Sequence, residues 1–282
     1  MSRRREVETH LRTLGEIREI MGAMKNLSFM ETRKLSRFID AQRQVVRTIE
    51  AAATDFIRAH PDLLPVPGQD SVLFLVVGSE RGFCGDYNET LLQRLETECL
   101  ERAHVPDLFV VGSKLADRME QDRRVIHSMT GASVAEEVPG VMQQVVDIID
   151  ELETKRPIAQ VRAIHHGAQE VMVTSILPPF QELASPPVSH RGTPFLYLAP
   201  ETMFSELTDH YLFAALHSLF YSALYAEHQQ RIQHLEGALR RLDEQCDQLK
   251  IRRNVLRQEE ITEEIEQILL SAQAMTEGME TQ

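Results

Sequence analysis

The residues of this chain that could do chemistry are few, and most of them follow one apolar run. Gly78-Ser79-Glu80-Arg81-Gly82-Phe83-Cys84-Gly85 comes directly after Val72–Val77, the place where a phosphate-binding loop would sit. The glycines miss the dinucleotide spacing, and no Lys-Ser/Thr pair closes the run. Gly112-Ser113-Lys114 also lacks the glycine spacing of a P-loop. Cys84 could serve as a nucleophile, but no sequence feature supplies its base. His165 and His166 are adjacent, so on a strand they point to opposite faces, which argues against joint metal ligation. Glu259-Glu260 and Glu263-Glu264 read as a solvated helix face rather than an acid/base pair. The expectation is therefore a chain with no catalytic residues, no metal, no cofactor and no nucleotide of its own. A tight strand-to-helix turn accounts for the glycines.

The elements that hold these residues are set by proline and by apolar period. All twelve prolines lie between Pro61 and Pro200, so both ends are free to form long helices. Each end also repeats every seven residues. Leu14, Met21, Ser28, Leu35, Gln42, Ile49 and Phe56 alternate with Ile17, Met24, Glu31, Phe38, Val45 and Ala52. Ile232, Leu235, Leu239, Leu242, Cys246, Leu249, Arg253 and Leu256 keep a three-four spacing, after which the stripe slips to Ile261, Ile265, Ile268 and Ala272. Such stripes are coiled-coil seams. The two should pair antiparallel within one chain, because the middle section returns the chain to its start. Contact is expected between the Met21/Met24 region and the segment beyond Leu256.

The middle section alternates strands and helices. Val72–Val77, Leu108–Val111, Val125-Ile126, Val161–Ile164 and Val171–Val173 read as strands, with helices around Leu91–Leu100 and Val141–Glu153. That order implies an α/β layer with a largely parallel sheet. The fold class expected is α/β: two long terminal helices in an antiparallel coiled coil, with an inserted Rossmann-like domain. The boundaries are 1–60 for the first helix, 70–200 for the α/β domain and 201–282 for the last helix.

Composition excludes some partners. A net charge of −13 speaks against non-specific nucleic-acid binding. Three cysteines without CxxC spacing fit a reducing compartment. Ser2–Arg5 is followed by Glu6 and Glu8 rather than an apolar signal core, and Tyr211–Ala226 is too short to span a bilayer. Arginines crowd the N-terminus at Arg3–Arg5, and cations crowd Lys250–Arg257, a pattern suited to an acidic partner.

Three segments carry a family resemblance. Ile20-Met21-Gly22-Ala23-Met24-Lys25 resembles the I-T-K-A-M-K motif of the gamma subunits of F-type ATP synthases. Ser79–Asn88 resembles their S-D-R-G-L-C-G-x-x-N, and Asn254–Ile265 their N-x-x-R-Q-x-x-I-T-x-E-L. The three occur in order and span nearly the whole chain. Two segments depart from the pattern: the alanine-rich stretch of the last helix is Gln230–Arg241 here, and Y-x-Y-E-P becomes Phe195-Leu196-Tyr197-Leu198-Ala199-Pro200, without its acid. These changes suggest a divergent branch, an alternative or sodium-pumping ATPase.

The resemblance implies a non-catalytic central rotor shaft, coupling proton or sodium flow through a membrane ring to ATP synthesis or hydrolysis. Its implied partners are the alpha and beta subunits of the catalytic hexamer, the epsilon subunit and the ring of c subunits. It implies that Ile20, Met24, Lys25, Arg257, Gln258, Ile261, Thr262 and Glu264 meet the catalytic head, and that Phe195, Tyr197 and Leu198 meet the ring. Arg81, Gly82, Cys84, Gly85 and Asn88 form a structural turn, with Gly82 and Gly85 at positive φ and Arg81 in polar contact with shaft or head. The implied location is peripheral, on the cytoplasmic face of a bacterial plasma membrane. Two other classes remain open on the residues alone: a phosphate or nucleotide hydrolase with coiled-coil dimerisation arms, and a homodimeric coiled-coil scaffold.

Overall fold

The computed structural model describes residues 3–65, 68, 71–100, 105–167, 170–183 and 196–280. The proline-free ends are single helices, α1 (Arg3–Ala59) and α5 (Pro200–Glu280). Between them come β1 (Val72–Val77), α2 (Tyr87–Leu100), β2 (Asp107–Val111), α3 (Ser113–Met119), β3 (Val125–Met129), α4 (Val138–Lys155), β4 (Gln160–His166) and β5 (Val171–Leu177). By packing, the chain divides into two compact units, residues 27–232 and residues 1–26 with 233–282.

The larger unit is a three-layer α/β body. Its sheet runs β3-β2-β1-β4-β5, with β1 parallel to β2 and β4 and with β2 parallel to β3. β5 is antiparallel to β4, since the few residues joining them are too few for a crossover. β1 is buried at every position, as its unbroken apolar run requires. On one face, Leu73, Leu75, Val77, Phe109 and Val111 pack against α4 and against Leu35 and Ile39 of α1 and Leu216, Phe220 and Leu224 of α5. On the other, Phe74, Val76, Leu108 and Val110 pack against Tyr87, Leu91 and Leu95 of α2 and Leu115 of α3. The apolar 211–226 stretch of α5 is thus a core helix of this body.

The smaller unit is an antiparallel helix pair. Leu14, Leu242 and Cys246 are its buried centre, flanked by Leu11, Met21 and Leu249. The register follows from three ion pairs: Lys25 with Glu236 (3.6 Å), Arg18 with Asp243 (2.6 Å) and Arg4 with Glu260 (2.8 Å). The expected contact of Met21/Met24 with the segment beyond Leu256 is therefore wrong. An antiparallel pair places Met21–Lys25 opposite residues near 236–243, and it is Arg4 that reaches Glu260. One heptad column is also less buried than its pattern suggests, with Ile17 40% exposed, because one partner helix covers only one strip. Beyond Glu260 the slipped stripe is open: Ile261, Ile265 and Ile268 are 45–65% exposed.

Candidate functional site

The turn between β1 and α2 is held by side chains from α5 and by one carboxylate of its own. Glu227 and Arg231, one helical turn apart on α5, form an ion pair that is almost wholly buried. Glu227 accepts the backbone N–H groups of Glu80 (3.1 Å) and Arg81 (3.2 Å). Arg231 donates to the carbonyls of Gly82 (3.1 Å) and Arg81 (3.4 Å) and to Cys84 Sγ (3.2 Å). Burial pushes the Glu227 carboxyl up, and Arg231 with the two N–H groups pulls it back. The Tyr87 hydroxyl donates to the Ala223 carbonyl (3.0 Å), adding a third tie to α5. Asn88 closes the turn onto Ser79, accepting its N–H (3.0 Å) and donating to its hydroxyl (2.9 Å).

The sites where a nucleotide would bind are occupied by the protein's own groups. The Glu80 carboxylate accepts the N–H and hydroxyl of Ser113 (2.9 and 2.8 Å) and the N–H of Gly131 (2.7 Å). It stands where a phosphate would meet the start of α3. The β1/β4 crevice, where the direction of winding reverses, is filled by Tyr87 stacked on His166, with ring centroids 4.0 Å apart. His166 Nε2 donates to the Tyr87 carbonyl at 2.9 Å. His165, on the opposite face of β4, contacts Thr174 through its own Nε2. Among the described residues, no three His, Cys, Asp or Glu side chains converge as a metal site would need.

Cys84 is a poor nucleophile here. Burial pushes its thiol up to about 12, against the opposing pull of Arg231. Of the two glycines expected at positive φ, only Gly85 (59°) adopts it; the other such residue in the turn is Phe83 (64°), not Gly82. Gly112, at φ 113°, must also stay bare, since a Cβ would lie 2.7 Å from the Gly78 carbonyl oxygen. Arg81 reaches α5 through its backbone, and its side chain donates to Ser133 Oγ at 3.0 Å.

The remaining expected site residues fall into two groups. Ile20 is 61% exposed, Lys25 pairs with Glu236, and Arg257, Gln258, Thr262 and Glu264 are exposed on the far part of α5. Met24 is half-buried. Tyr197 is 95% exposed and Leu198 51%, while Phe195 lies outside the described residues. Sequence reasoning missed Glu227, Arg231, Tyr87 and the role of Glu80. The available signal was a Glu and an Arg at helical spacing directly after a stretch too apolar to be exposed.

With this arrangement in hand, the comparisons are specific. A sequence model described as ATP synthase matches residues 3–275. The chain belongs to the ATP synthase family. The ATP synthase gamma chain of Stenotrophomonas maltophilia is 26% identical over 98% of this chain and 100% of its own length. That of Clostridium beijerinckii is 24% identical over 95% and 97%. In solved structures, a chain of the Euglena gracilis mitochondrial ATP synthase, in an assembly of OSCP, F1 and c-ring, aligns with a TM-score of 0.66 at 18% identity, over 98% of this chain and 95% of that one. A rotor chain from the same organism aligns at 0.61 and 16%, over 92% and 98%. This member of the ATP synthase family thus has the fold of those two chains. None of its described helices is long and apolar enough to cross a membrane.

Proposed function

We propose that this chain is the non-catalytic central-stalk rotor subunit of a rotary ATP synthase, coupling ion flow through a membrane ring to ATP synthesis or hydrolysis. The observation that carries the proposal is the far end of α5. It continues past the Arg4–Glu260 pair with Ile261, Ile265, Ile268, Leu269 and Leu270 all exposed, an apolar end that needs an enclosing partner. The alpha and beta subunits of a catalytic hexamer are that partner, meeting Ile20, Met24, Arg257, Gln258, Ile261, Thr262 and Glu264. Tyr197 and Leu198 face the c-ring, and the epsilon subunit completes the stalk. The ring passes protons or sodium, and the chain sits peripherally on the cytoplasmic face of a bacterial plasma membrane.

The mechanism follows from contact that varies with angle. Turning the stalk changes its interaction energy with each beta subunit, and that difference shifts each subunit between states of unequal nucleotide affinity. Torque entering through the α/β body reaches α5 through the Glu227/Arg231 clamp and the apolar packing of residues 214–226. The test is purification of the tagged chain from its own cells under native conditions. Alpha and beta subunits recovered in one ATP-hydrolysing particle support the reading. A chain recovered without them, or one that hydrolyses nucleotide alone, overturns it.

A further inference from the structure

We infer that His228 is a positioning residue for the Arg231 guanidinium, and that protonation of its ring releases the β1–α2 turn from α5 while the rest of the body stays folded. The two residues stand three apart on α5, so their side chains share one face of the helix. Every nitrogen of the guanidinium is in use. Nε donates to the Gly82 carbonyl, and Nη2 reaches the Arg81 carbonyl, Cys84 Sγ and the Glu227 carboxylate. Nη1, the remaining corner of the fork, lies 3.0 Å from His228 Nδ1. A guanidinium only donates, so the ring must offer a lone pair at Nδ1 and carry its proton on Nε2. That Nε2 is buried and faces the Ser133 backbone, without a well-formed hydrogen bond among the described residues. The neutral ring therefore fixes the plane of the group that grips the turn.

The surroundings leave no room for a charged ring. Its charged and titratable neighbours are Arg231 and Glu227 on α5, Glu80, Arg81, Cys84 and Tyr87 in and after the turn, and Glu31, Glu136 and Glu137, which hold or flank the segment around Ser133. The carboxylates are already engaged: Glu227 by Arg231 and two N–H groups, Glu80 by Ser113 and Gly131, Glu137 by the Ser133 N–H and Glu31 by that of Ala135. A proton on Nδ1 would set two donors, both cationic, against each other at a residue only 5% exposed. The guanidinium must then move, and in moving it lets go of Arg81, Gly82 and Cys84. Burial, with Arg231 beside it, lowers the ring from 6.5 to about 4. The released turn thus binds the proton more readily than the held one, so the hold is complete above pH 6.5 and weakens as pH falls toward 4. The turn's outer side is open, with Phe83 52% exposed, so it can leave α5 without disturbing the sheet. This latch belongs to the folded chain and does not depend on the rotor reading; in a rotor it would loosen the grip of the turn on α5 when the surroundings become acid.

The test is labelling of the full-length chain with 2,2′-dipyridyl disulfide, which reacts with thiols in mild acid. Each cysteine is read by peptide mass, and its rate is divided by that of free cysteine at the same pH. Cys84 is the reporter, buried and bonded to Arg231. Cys99, on α2 and packed against the same apolar cluster, reports opening of the whole body. Between pH 7.5 and pH 5.5 the Cys84 rate should rise about tenfold, the ratio expected for a ring of pKa 6.5 when released and about 4 when held. The Cys99 rate and the helical circular dichroism should stay level. His228→Gln, whose amide oxygen can accept from Arg231 and takes up no proton, should label slowly at every pH. His228→Leu, which can neither accept nor ionise, should label fast at every pH. The wild-type profile suffices by itself should either variant fold poorly. A flat wild-type profile, an equal rise in His228→Gln, slow labelling of His228→Leu, or a Cys99 rate that climbs with that of Cys84 would each overturn the inference.

Discussion

The turn residues divide by what each could lose. Cys84 is buried, its thiol held high, and its contacts are to carbonyls and to Arg231, so Cys84→Ala should leave assembly and ATP hydrolysis close to wild type. Loss of activity with normal assembly would reopen the nucleophile reading. Gly85→Val places a branched Cβ in the left-handed region, at about 1–2 kcal/mol or more, and should lower the yield of folded chain. Arg231→Ala leaves the Glu227 carboxylate buried and unpaired, which typically costs about 3–5 kcal/mol. Urea unfolding should show that loss, and adding Glu227→Leu should restore much of it. A double mutant no more stable than Arg231→Ala would mean that the backbone contacts, not the charge, hold the turn. The Ser79–Asn88 motif was legible in the sequence as a turn, because its glycines and position after β1 are local signals. Its partners were not, since Glu227 and Arg231 are about 150 positions away and charged residues are normally assigned to solvent.

At the scale of elements, the strands and helices of the middle section were readable from apolar runs and period, and β1 most clearly. The coiled-coil register was not, because a heptad states which face is apolar but not which turn of the partner meets it. Two buried histidines make the α/β body sensitive to acid. His165 on β4 and His228 on α5 are each 5% exposed, and burial lowers both to about 4, with Arg231 adding to the effect at His228. Arg231 Nη1 can only donate to His228 Nδ1 at 3.0 Å, so the neutral ring is the one that fits. Both folded values lie below the ordinary 6.5, so the unfolded chain binds the protons first. Stability from these rings is complete above pH 6.5 and falls between 6.5 and about 4, by roughly 1.4 kcal/mol per pH unit for each histidine. Urea midpoints measured from pH 7 to pH 4.5 should decline, less steeply in His228→Gln. An equal slope in both proteins would remove His228 from this account.

At the scale of the molecule, the helix pair should close within one chain. Arg18 and Asp243 are half-exposed, and an exposed pair is worth about 0–1 kcal/mol, so both can be replaced without loss of fold. With the native cysteines replaced, Arg18→Cys/Asp243→Cys treated with a short bismaleimide should give an intramolecular crosslink at every dilution; only intermolecular products would sink the antiparallel pairing. Arg257→Ala with Gln258→Ala should assemble with alpha and beta subunits yet lower ion-coupled ATP synthesis. These side chains are exposed in the chain, and a charge-assisted hydrogen bond to a partner is worth roughly 1.5–3 kcal/mol. Reconstituted complexes measured in both directions check this, and full coupling in the double mutant would move the torque contact elsewhere.

The open apolar end of α5 also bears on how the cell handles the free chain. Ile261, Ile265, Ile268, Leu269 and Leu270 lie within ten residues, uncovered until a partner arrives. An orphan copy therefore presents a sticky surface that chaperones and proteases can recognise. Supply would then be matched to demand by clearance: surplus chain made beyond the available catalytic heads should have a shorter half-life than assembled chain. Substituting polar residues at these five positions should lengthen the half-life of the orphan while reducing its incorporation.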